Sequence, residues 1–304
     1  MKWPIANRFD PKAPVSLYLG DCEEFLSQIP PGTAQLVVTS PPYNLGKQYE
    51  TKLTLEDHIS LQRRTLELAT KCLSQSGSLC WQVGNHVAGG EIYPLDILLY
   101  PICKQLGLKL RNRIVWHFEH GLHCSRRFSG RYETILWFTK SDSYKFNLDA
   151  VRVPQKYPGK KAFKGPKKGE YTCNPLGKNP SDVWIIPNVK HNHIEKTIHP
   201  CQFPVELIER LVLSLTDEGD LVIDPYLGVG SAACAAVLHS RHTAGSEIVP
   251  EYLEIARERI IAAFENRLPR RPLDRPVYKP DPRSRVARAP HEWDYPLLPL
   301  QSTT

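Results

Sequence analysis

Two short clusters in this chain have residue types and spacing suited to bonding chemistry. The first is Ser40-Pro41-Pro42-Tyr43, which follows the apolar run Leu36-Val37-Val38. Consecutive prolines carry no N–H and fix φ, so the backbone there is stiff, extended and unable to continue a ladder. The carbonyls of Ser40 and Pro41 are left without strand partners, and the ring of Tyr43 follows at once. A rigid acceptor cluster beside a flat ring is a way to hold a planar, amine-bearing ring. A loop that merely ends a strand would carry the same prolines, so the rest of the chain has to decide.

The second cluster is Asp224-Pro225-Tyr226-Leu227-Gly228-Val229-Gly230-Ser231, between an apolar strand and a helix. Its two glycines allow a tight turn and close backbone approach, and the helix N-terminus offers free N–H groups to a negative group. Glu247 ends the next strand, 19 residues after Gly228, the spacing at which an acid accepts ribose hydroxyls in nucleotide-type sites. Strand, Gly-x-Gly, helix, strand and acid together point to an adenosine cofactor. Ala233 stands where dinucleotide enzymes carry a third glycine, which weighs against NAD. A structural turn at Gly228 and Gly230 and a surface acid at Glu247 are the plainer alternatives.

The elements that must position these clusters follow an α/β rhythm. Residues 1–14 read as a loose leader and Val15 to Leu19 as a strand. Gly20-Asp21-Cys22 is a turn in which Asp21 caps the following helix. Pro30-Pro31-Gly32 ends that helix before the strand Ala34 to Thr39. A mobile-looking loop at Leu45–Glu50 precedes a helix from Leu55 to Ser74 and a strand from Ser78 to Val83. Leu95 to Leu106 reads as helix. Lys109 to His117 and Thr134 to Phe138 read as a hairpin at a sheet edge, joined by a polar loop at Gly121–Arg131. Regular structure resumes with the helix Pro204–Leu215, the strand Leu221–Ile223, the helix Ala232–His239, the strand Thr243–Ser246 and the helix Glu251–Phe264. The fold class is thus α/β, a Rossmann-like, mostly parallel twisted sheet with helices on both faces and an irregular insert.

The insert runs over 146–196, where periodicity disappears, and Trp184 within it needs a buried place. From Lys140 to Lys178 there are ten Lys or Arg against three acids, and the whole chain carries a formal net charge of +7. A local basic block favours a polyanion partner. The expected division is a catalytic part made of 15–145 and 197–266, the insert 146–196, and a Pro/Arg-rich tail 267–304 that is disordered or laid across the surface. No window of about twenty apolar residues suits a membrane span, and the N-terminus lacks the apolar core of a secretion signal. The eight cysteines form no Cys-x-x-Cys pair, and a reducing cytoplasm is the expected setting. His120-x-x-His123-Cys124 lacks a fourth ligand at metal spacing, so no metal is expected. His191, His193 and His199 read as loop residues.

These motifs resemble the amino-group DNA methyltransferases that use S-adenosylmethionine. Ser40-Pro41-Pro42-Tyr43 looks like their catalytic signature, and Asp224 to Gly230 looks like their Asp-Pro-Phe-x-Gly-x-Gly loop. Thr197-Ile198-His199-Pro200-Cys201-Gln202-Phe203-Pro204 is similar to their His-Pro-x-Gln-Lys-Pro segment, with Phe203 in place of Lys. Catalytic motif first, cofactor motif last and a variable module between them resembles the permuted β-type subgroup, over residues 15–266. The resemblance implies S-adenosyl-L-methionine as cofactor and a Rossmann-like methyltransferase fold. It also implies a prokaryotic or phage-like setting and a modification role beside a restriction endonuclease encoded nearby, the chain acting as monomer or homodimer.

By the same resemblance, Glu247 binds the ribose, while Asp224, Pro225, Tyr226, Gly228, Gly230 and Ser231 surround the methionine part. Asp21 and Cys22 contact the adenine. Ser40 and the Pro41 carbonyl accept from an exocyclic amine, Pro42 keeps the loop rigid, and Tyr43 stacks on a base flipped from duplex DNA. Ser before Pro-Pro-Tyr is usual for cytosine N4 and Asp for adenine N6, so cytosine N4 is expected, with adenine N6 as the alternative. Lys160, Lys161, Lys164, Lys167 and Lys168 of the insert, with Arg126, Arg127 and Arg131, are the expected DNA contacts. A DNA-binding module without catalysis is the competing class, disfavoured because both motifs are intact. Methylation of RNA or protein is another; protein-glutamine methylases carry Asn in place of Ser40.

Overall fold

Val37 is buried among one set of helices and its neighbours Leu36 and Val38 among another, the pattern of a strand covered on both faces. The computed structural model describes residues 4–44, 53–121, 123–190, 192–277, 281 and 283. In chain order its elements are β1 (Ile5–Ala6), β2 (Val15–Leu19), α1 (Cys22–Ser27), β3 (Ala34–Thr39), α2 (Leu55–Cys72), β4 (Leu73–Val83), β5 (Asn85–Ala88), β6 (Glu91–Pro94), α3 (Leu95–Gln105), β7 (Lys109–His117), β8 (Tyr132–Thr139), β9 (Val183–Ile185), α4 (Val205–Leu215), β10 (Leu221–Asp224), α5 (Ser231–Leu238), β11 (His242–Glu247) and α6 (Pro250–Phe264). A single 3₁₀ turn, Leu148–Val151, opens the insert.

Nine strands form one sheet in the order β1-β2-β11-β10-β3-β4-β8-β7-β9. Only β8 is antiparallel to its neighbours β4 and β7. Alternation along each strand divides the core. Leu36, Val38, Cys80 and Val222 meet α4, α5 and α6 on one face; Val37, Leu79, Trp81 and Ile223 meet α1, α2 and α3 on the other. Helix starts follow local chemistry. Asp21 accepts from the N–H groups of Glu23 and Glu24, and Thr54 Oγ1 accepts from Asp57 N, each satisfying first-turn donors. Among the described residues no helix is long and apolar enough to cross a membrane.

β3 and β10 are parallel neighbours from which the chain departs in opposite directions. β3 leads through α2 to β4 on one side; β10 leads through α5 to β11 on the other. This is a topological switch point, and open α/β sheets bind ligands outside the carboxyl ends of the strands there. Both sequence clusters leave the sheet at this point.

Several expectations need correction. The leader is not loose throughout, because Ile5 and Ala6 pair in parallel with Val15 and Ser16. The β7–β8 hairpin forms, but β9 lies outside it and takes the sheet edge; Trp184 is buried there and donates its indole N–H to Ser181 O. A small hairpin, β5–β6, turns at Gly89 and Gly90, both with positive φ, and has no counterpart among the expected elements. The loop at Leu45–Glu50, His191 and the tail beyond 277, apart from Asp281 and Arg283, lie outside the described residues.

The first part of the tail is packed into the protein rather than laid over it. Leu268 and Arg271 are buried. Arg271 pairs with buried Glu206, and its backbone N–H donates to Glu195 Oε1. Glu195 Oε2 in turn accepts from Val205 N at 2.9 Å, so it satisfies the first N–H of α4, which has no side-chain cap of its own. Arg270 pairs with Glu209 at 2.9 Å. Removing one partner of such a pair leaves an uncompensated buried charge. Arg271→Ala should therefore lower the unfolding free energy by about 3–5 kcal/mol in urea denaturation; a loss under about 1 kcal/mol would mean that the pair behaves as a surface contact.

Candidate active site

The two prolines release the chain from β3 and turn Tyr43 back over the sheet rim. Pro41 is buried, while Ser40 and Tyr43 are half-buried. The Tyr43 ring lies over Gly84, where an added Cβ would come within 3.1 Å of it; only glycine leaves the ring this room. Tyr43 OH donates to Glu133 Oε2 at 3.0 Å, and Gln82 Nε2 donates to the same oxygen at 2.6 Å. Ser40 Oγ lies 3.0 Å from Tyr43 OH.

These contacts have a direction. A carboxylate only accepts, so the phenolic proton goes to Glu133, and the tyrosine oxygen is left to accept from Ser40. Ser40 Oγ thereby spends its own proton inward and turns lone pairs outward. A seryl oxygen held this way is an acceptor, suited to an N–H donor and not to a carbonyl. Burial raises the Glu133 carboxyl above its ordinary value, and the donors Tyr43 and Gln82 oppose that rise. Burial and the nearby Glu133 charge raise Tyr43 well above the ordinary phenol value, so its proton stays in place. Neither Glu133 nor Gln82 is among the expected site residues. No motif marks them; the β4–β8 pairing of Gln82 with Ile135 and Val83 with Thr134 is what brings them to Tyr43.

Beside this cluster, Thr39 Oγ1 donates to Asp224 Oδ1 at 2.6 Å, joining the ends of β3 and β10. Tyr226 N donates to the same oxygen at 3.1 Å. Asp224 Oδ2 is buried without a hydrogen-bond partner. Burial pushes this carboxyl up to about 7, because the charged form loses water that two donors on one oxygen do not replace. Gly228 and Gly230 have φ of 53° and 76°; a Cβ on Gly230 would meet Ala256 Cβ at 2.9 Å, and one on Gly228 would meet His199 Nε2 at 3.4 Å. Glu247 Oε2 accepts from Gly228 N and Oε1 from Val249 N, both at 2.9 Å. Each oxygen keeps a further acceptor site. The 19-residue spacing thus closes into a direct contact between the glycine turn and the acid.

The remaining expected residues sort by position. Asp21 and Cys22 stand at the end of β2, whose Leu19 pairs with Glu247. Asp21 is the α1 cap; Cys22 is buried with its Sγ 3.8 Å from Thr65 Oγ1, which also meets Tyr226 OH at 3.0 Å. Pro225 O accepts from Ser246 Oγ at 2.7 Å, fixing the start of the turn. Ser231 begins α5, and buried Arg259 reaches both its Oγ and Val229 O. His199 is more than a loop residue. Its ring packs edge-on against Tyr252 and faces Gly228. Its Nδ1 accepts from Cys201 N, and burial beside Lys196 and Arg259 lowers it to about 4, so a neutral imidazole supports the turn. Phe203, which replaces the family's Lys, is buried in the core.

The basic residues stand apart from this crevice. Arg126 and Arg127 are exposed on the β7–β8 loop, as is Phe128 between them and Ser129. Arg131 lies at the base of that loop and donates to Gly130 O. Lys160, Lys161, Lys164, Lys167 and Lys168 are exposed on a narrow ribbon in the insert, held by the Lys161–Tyr171 bridge and by Ala162 N donating to Glu170 O. Among the described residues none of these five lysines has an ion pair, whereas Lys109 and Lys145 do. No group of three or more His, Cys, Asp or Glu that would hold a metal occurs among the described residues.

Comparison with known proteins agrees with this geometry. The N6/N4 methyltransferase family, described as DNA methylase, matches residues 34–258. The chain is 51% identical over 241 residues to the Type II methyltransferase M.BglII of Bacillus subtilis, covering 79% of this chain and 67% of that protein. Its fold resembles that of the PvuII DNA methyltransferase (cytosine-N4-specific), with a TM-score of 0.64, 23% identity, and 85% and 94% of the two chains covered. It also resembles the DNA modification methylase TTHA0409 of Thermus thermophilus, solved in complex with S-adenosyl-L-methionine, with a TM-score of 0.58, 28% identity, and 83% and 94% covered.

Asp224 gives this site a pH signature. Its folded value lies above the ordinary 3.8, so folding takes up a proton between about pH 4 and 7 and stability falls as pH rises through that window. Asp224→Asn keeps an oxygen for Thr39 and Tyr226 but does not titrate. In the absence of ligand, the Asn variant should be the more stable protein at pH 8, by on the order of 2–4 kcal/mol. That gap should close as the pH falls toward 4. A gap that stays constant with pH would show that the carboxyl is not buried as described.

Proposed function

The chain belongs to the N6/N4 family of DNA methylases, and we propose from this that it methylates the exocyclic N4 of cytosine in duplex DNA, as the modification half of a Type II restriction–modification system. Its cofactor is S-adenosyl-L-methionine. The crevice suits that molecule. The unpartnered Oδ2 of Asp224 gives a cationic group a buried counter-charge, the glycine turn admits close backbone approach, and Glu247 retains acceptor sites for two hydroxyls. Asp21 and Cys22, at the neighbouring strand end, suit the adenine. When bound, the cofactor supplies an electrophilic methyl group on a sulfonium.

The observation that carries the reading is the directed relay from Ser40 through Tyr43 to Glu133. The target base leaves the duplex at a cost of a few kcal/mol, part of which stacking on the Tyr43 ring returns. Ser40 Oγ and the Pro41 carbonyl accept from the exocyclic amine. This localises the nitrogen lone pair and aims it at the methyl group. As the C–N bond forms, the nitrogen must give up a proton. Ser40 Oγ accepts it while passing its own to Tyr43 OH, whose proton passes to Glu133. The relay offers acceptors only, so it selects an amine over a keto group at the same place. No covalent enzyme intermediate is needed, and burial pushes Cys72 up to about 11 and Cys103 to about 12, far from thiolate formation.

Ser40 in the first motif position supports cytosine N4, because adenine-type members usually carry Asp there. The lysines of 160–168, which make no ion pairs among the described residues, support a duplex partner held by its phosphates, as do Arg126, Arg127 and Arg131. The insert 146–196 is then the module that reads the sequence, and 15–145 with 197–266 the catalytic part.

The direct test is transfer of labelled methyl groups to duplex DNA followed by digestion to nucleosides. N4-methylcytosine is the expected product; N6-methyladenine would select the other amine, and no label on any duplex would refute DNA methylation. Ser40→Ala and Tyr43→Ala should each lower kcat by about tenfold or more and leave cofactor affinity within about threefold. Equal losses in both would place these residues in the cofactor site instead.

A further inference from the structure

The loop between β7 and β8 carries a phenylalanine that the proposed chemistry leaves without a task. Phe128 is fully exposed, at 101% of its reference area. A single exposed apolar side chain ordinarily means little. Here its surroundings add to it. The loop is held in shape. Phe118 N donates to Arg131 O at 2.8 Å across its base, and Cys124 N donates to Ser129 Oγ at 3.0 Å behind its tip. Asn188 Nδ2 donates to His120 O at 3.1 Å, which fastens it to the insert. Its tip is also cationic. Arg126 and Arg127 are exposed, and neither has an ion pair among the described residues; Arg127 Nη1 meets a carbonyl, Gly90 O, at 3.4 Å. Finally, the loop runs directly into the site. Glu133 is five residues beyond Phe128, so the two lie within about 18 Å of each other even at full chain extension.

A base that swings out of a duplex leaves a gap one base thick, with two faces that have lost their stacking partner. An apolar side chain inserted between base steps covers those faces. The requirements are a ring on a rigid support, cations beside it for the flanking phosphates, and a position on the rim of the pocket that takes the base. Phe128, Arg126 and Arg127 meet all three. Phe163 is comparably exposed, but it belongs to the insert and not to the loop that leads to Glu133.

We propose that Phe128 enters the DNA stack where the target base leaves it, with Arg126 and Arg127 holding the phosphates on either side. This rests on the reading of the chain as a base-flipping DNA methylase. The ring makes no contact with the reacting atoms. It stabilises the flipped state and so acts as a positioning residue.

The test compares wild type, Phe128→Ala and Phe128→Trp, as full chains, on two duplexes carrying the enzyme's mapped methylation site. One is fully paired; the other has an abasic position opposite the target base, so that pairing no longer opposes flipping. Cofactor affinity is measured in parallel. On the paired duplex, Phe128→Ala should lose about tenfold or more in kcat/KM, and Phe128→Trp should retain most of it. On the abasic duplex, Phe128→Ala should come within about threefold of wild type, with unchanged cofactor affinity throughout. An equal loss on both duplexes, or no loss on either, would overturn the proposal. Failure of the wild-type protein to methylate either duplex would overturn the DNA reading itself, and this inference with it.

Discussion

Thr39 gives its hydroxyl proton to Asp224 across the ends of two parallel strands, and the rest of the site depends on that bond. The strands are the pair from which the chain departs in opposite directions, so the sheet alone opens a crevice there. Without a tie at the rim, the residues after β3 and those after β10 would be independent loops. The bond fixes one against the other, placing the acceptor cluster of Ser40–Tyr43 next to the glycine turn of 228–230. It also holds a carboxyl where burial raises it to about 7. One oxygen is satisfied and the other is not, and the unsatisfied one marks where a cation is wanted. Stability given up at Asp224 is returned when a positive group binds, a common arrangement for sites that must be empty in one state and occupied in the next.

The acceptor side follows a different logic. Ser40 is a weak group by itself, able to donate or accept. Glu133 removes the ambiguity through the Tyr43 hydroxyl, because an acceptor-only carboxylate sets the direction of each hydrogen bond that leads to it. Gln82 holds the carboxylate in place, and Gly84 makes room for the ring between them. A neutral serine can therefore do work for which a charged residue in its position would have to be desolvated next to the base.

The order of strands and motifs is legible in the sequence because buried parallel strands and their turn residues are local features. The expected β3 has the extent found in the structure, Ala34–Thr39. The spacing between the glycine turn and Glu247 becomes a hydrogen bond. What is not legible is whatever depends on pairing register. Glu133 and Gln82 sit on strands β8 and β4, and only their antiparallel alignment brings both to Tyr43. β9 is three residues long within an irregular basic segment, and nothing local distinguishes it from a loop. The β1 pairing and the burial of Arg271 escape local reading for a related reason: short or charged segments gain their place from partners remote in sequence, here Val15 and Glu206. His199 looks like an ordinary loop residue from its neighbours alone, because Gly228, which its ring supports, lies in the other motif.

The central claim is that ionised Glu133 makes Ser40 an acceptor for the amine. It is tested most directly by the pH dependence of kcat under saturating cofactor and DNA, in wild type and in Glu133→Gln. Glu133 lies above the ordinary carboxyl value of 4.5, and the relay needs its charged form. Wild-type kcat should therefore fall as the pH drops through that raised value, along a limb that Glu133→Gln lacks, the variant being slow at every pH. A variant that keeps both the acidic limb and the wild-type rate would contradict the account.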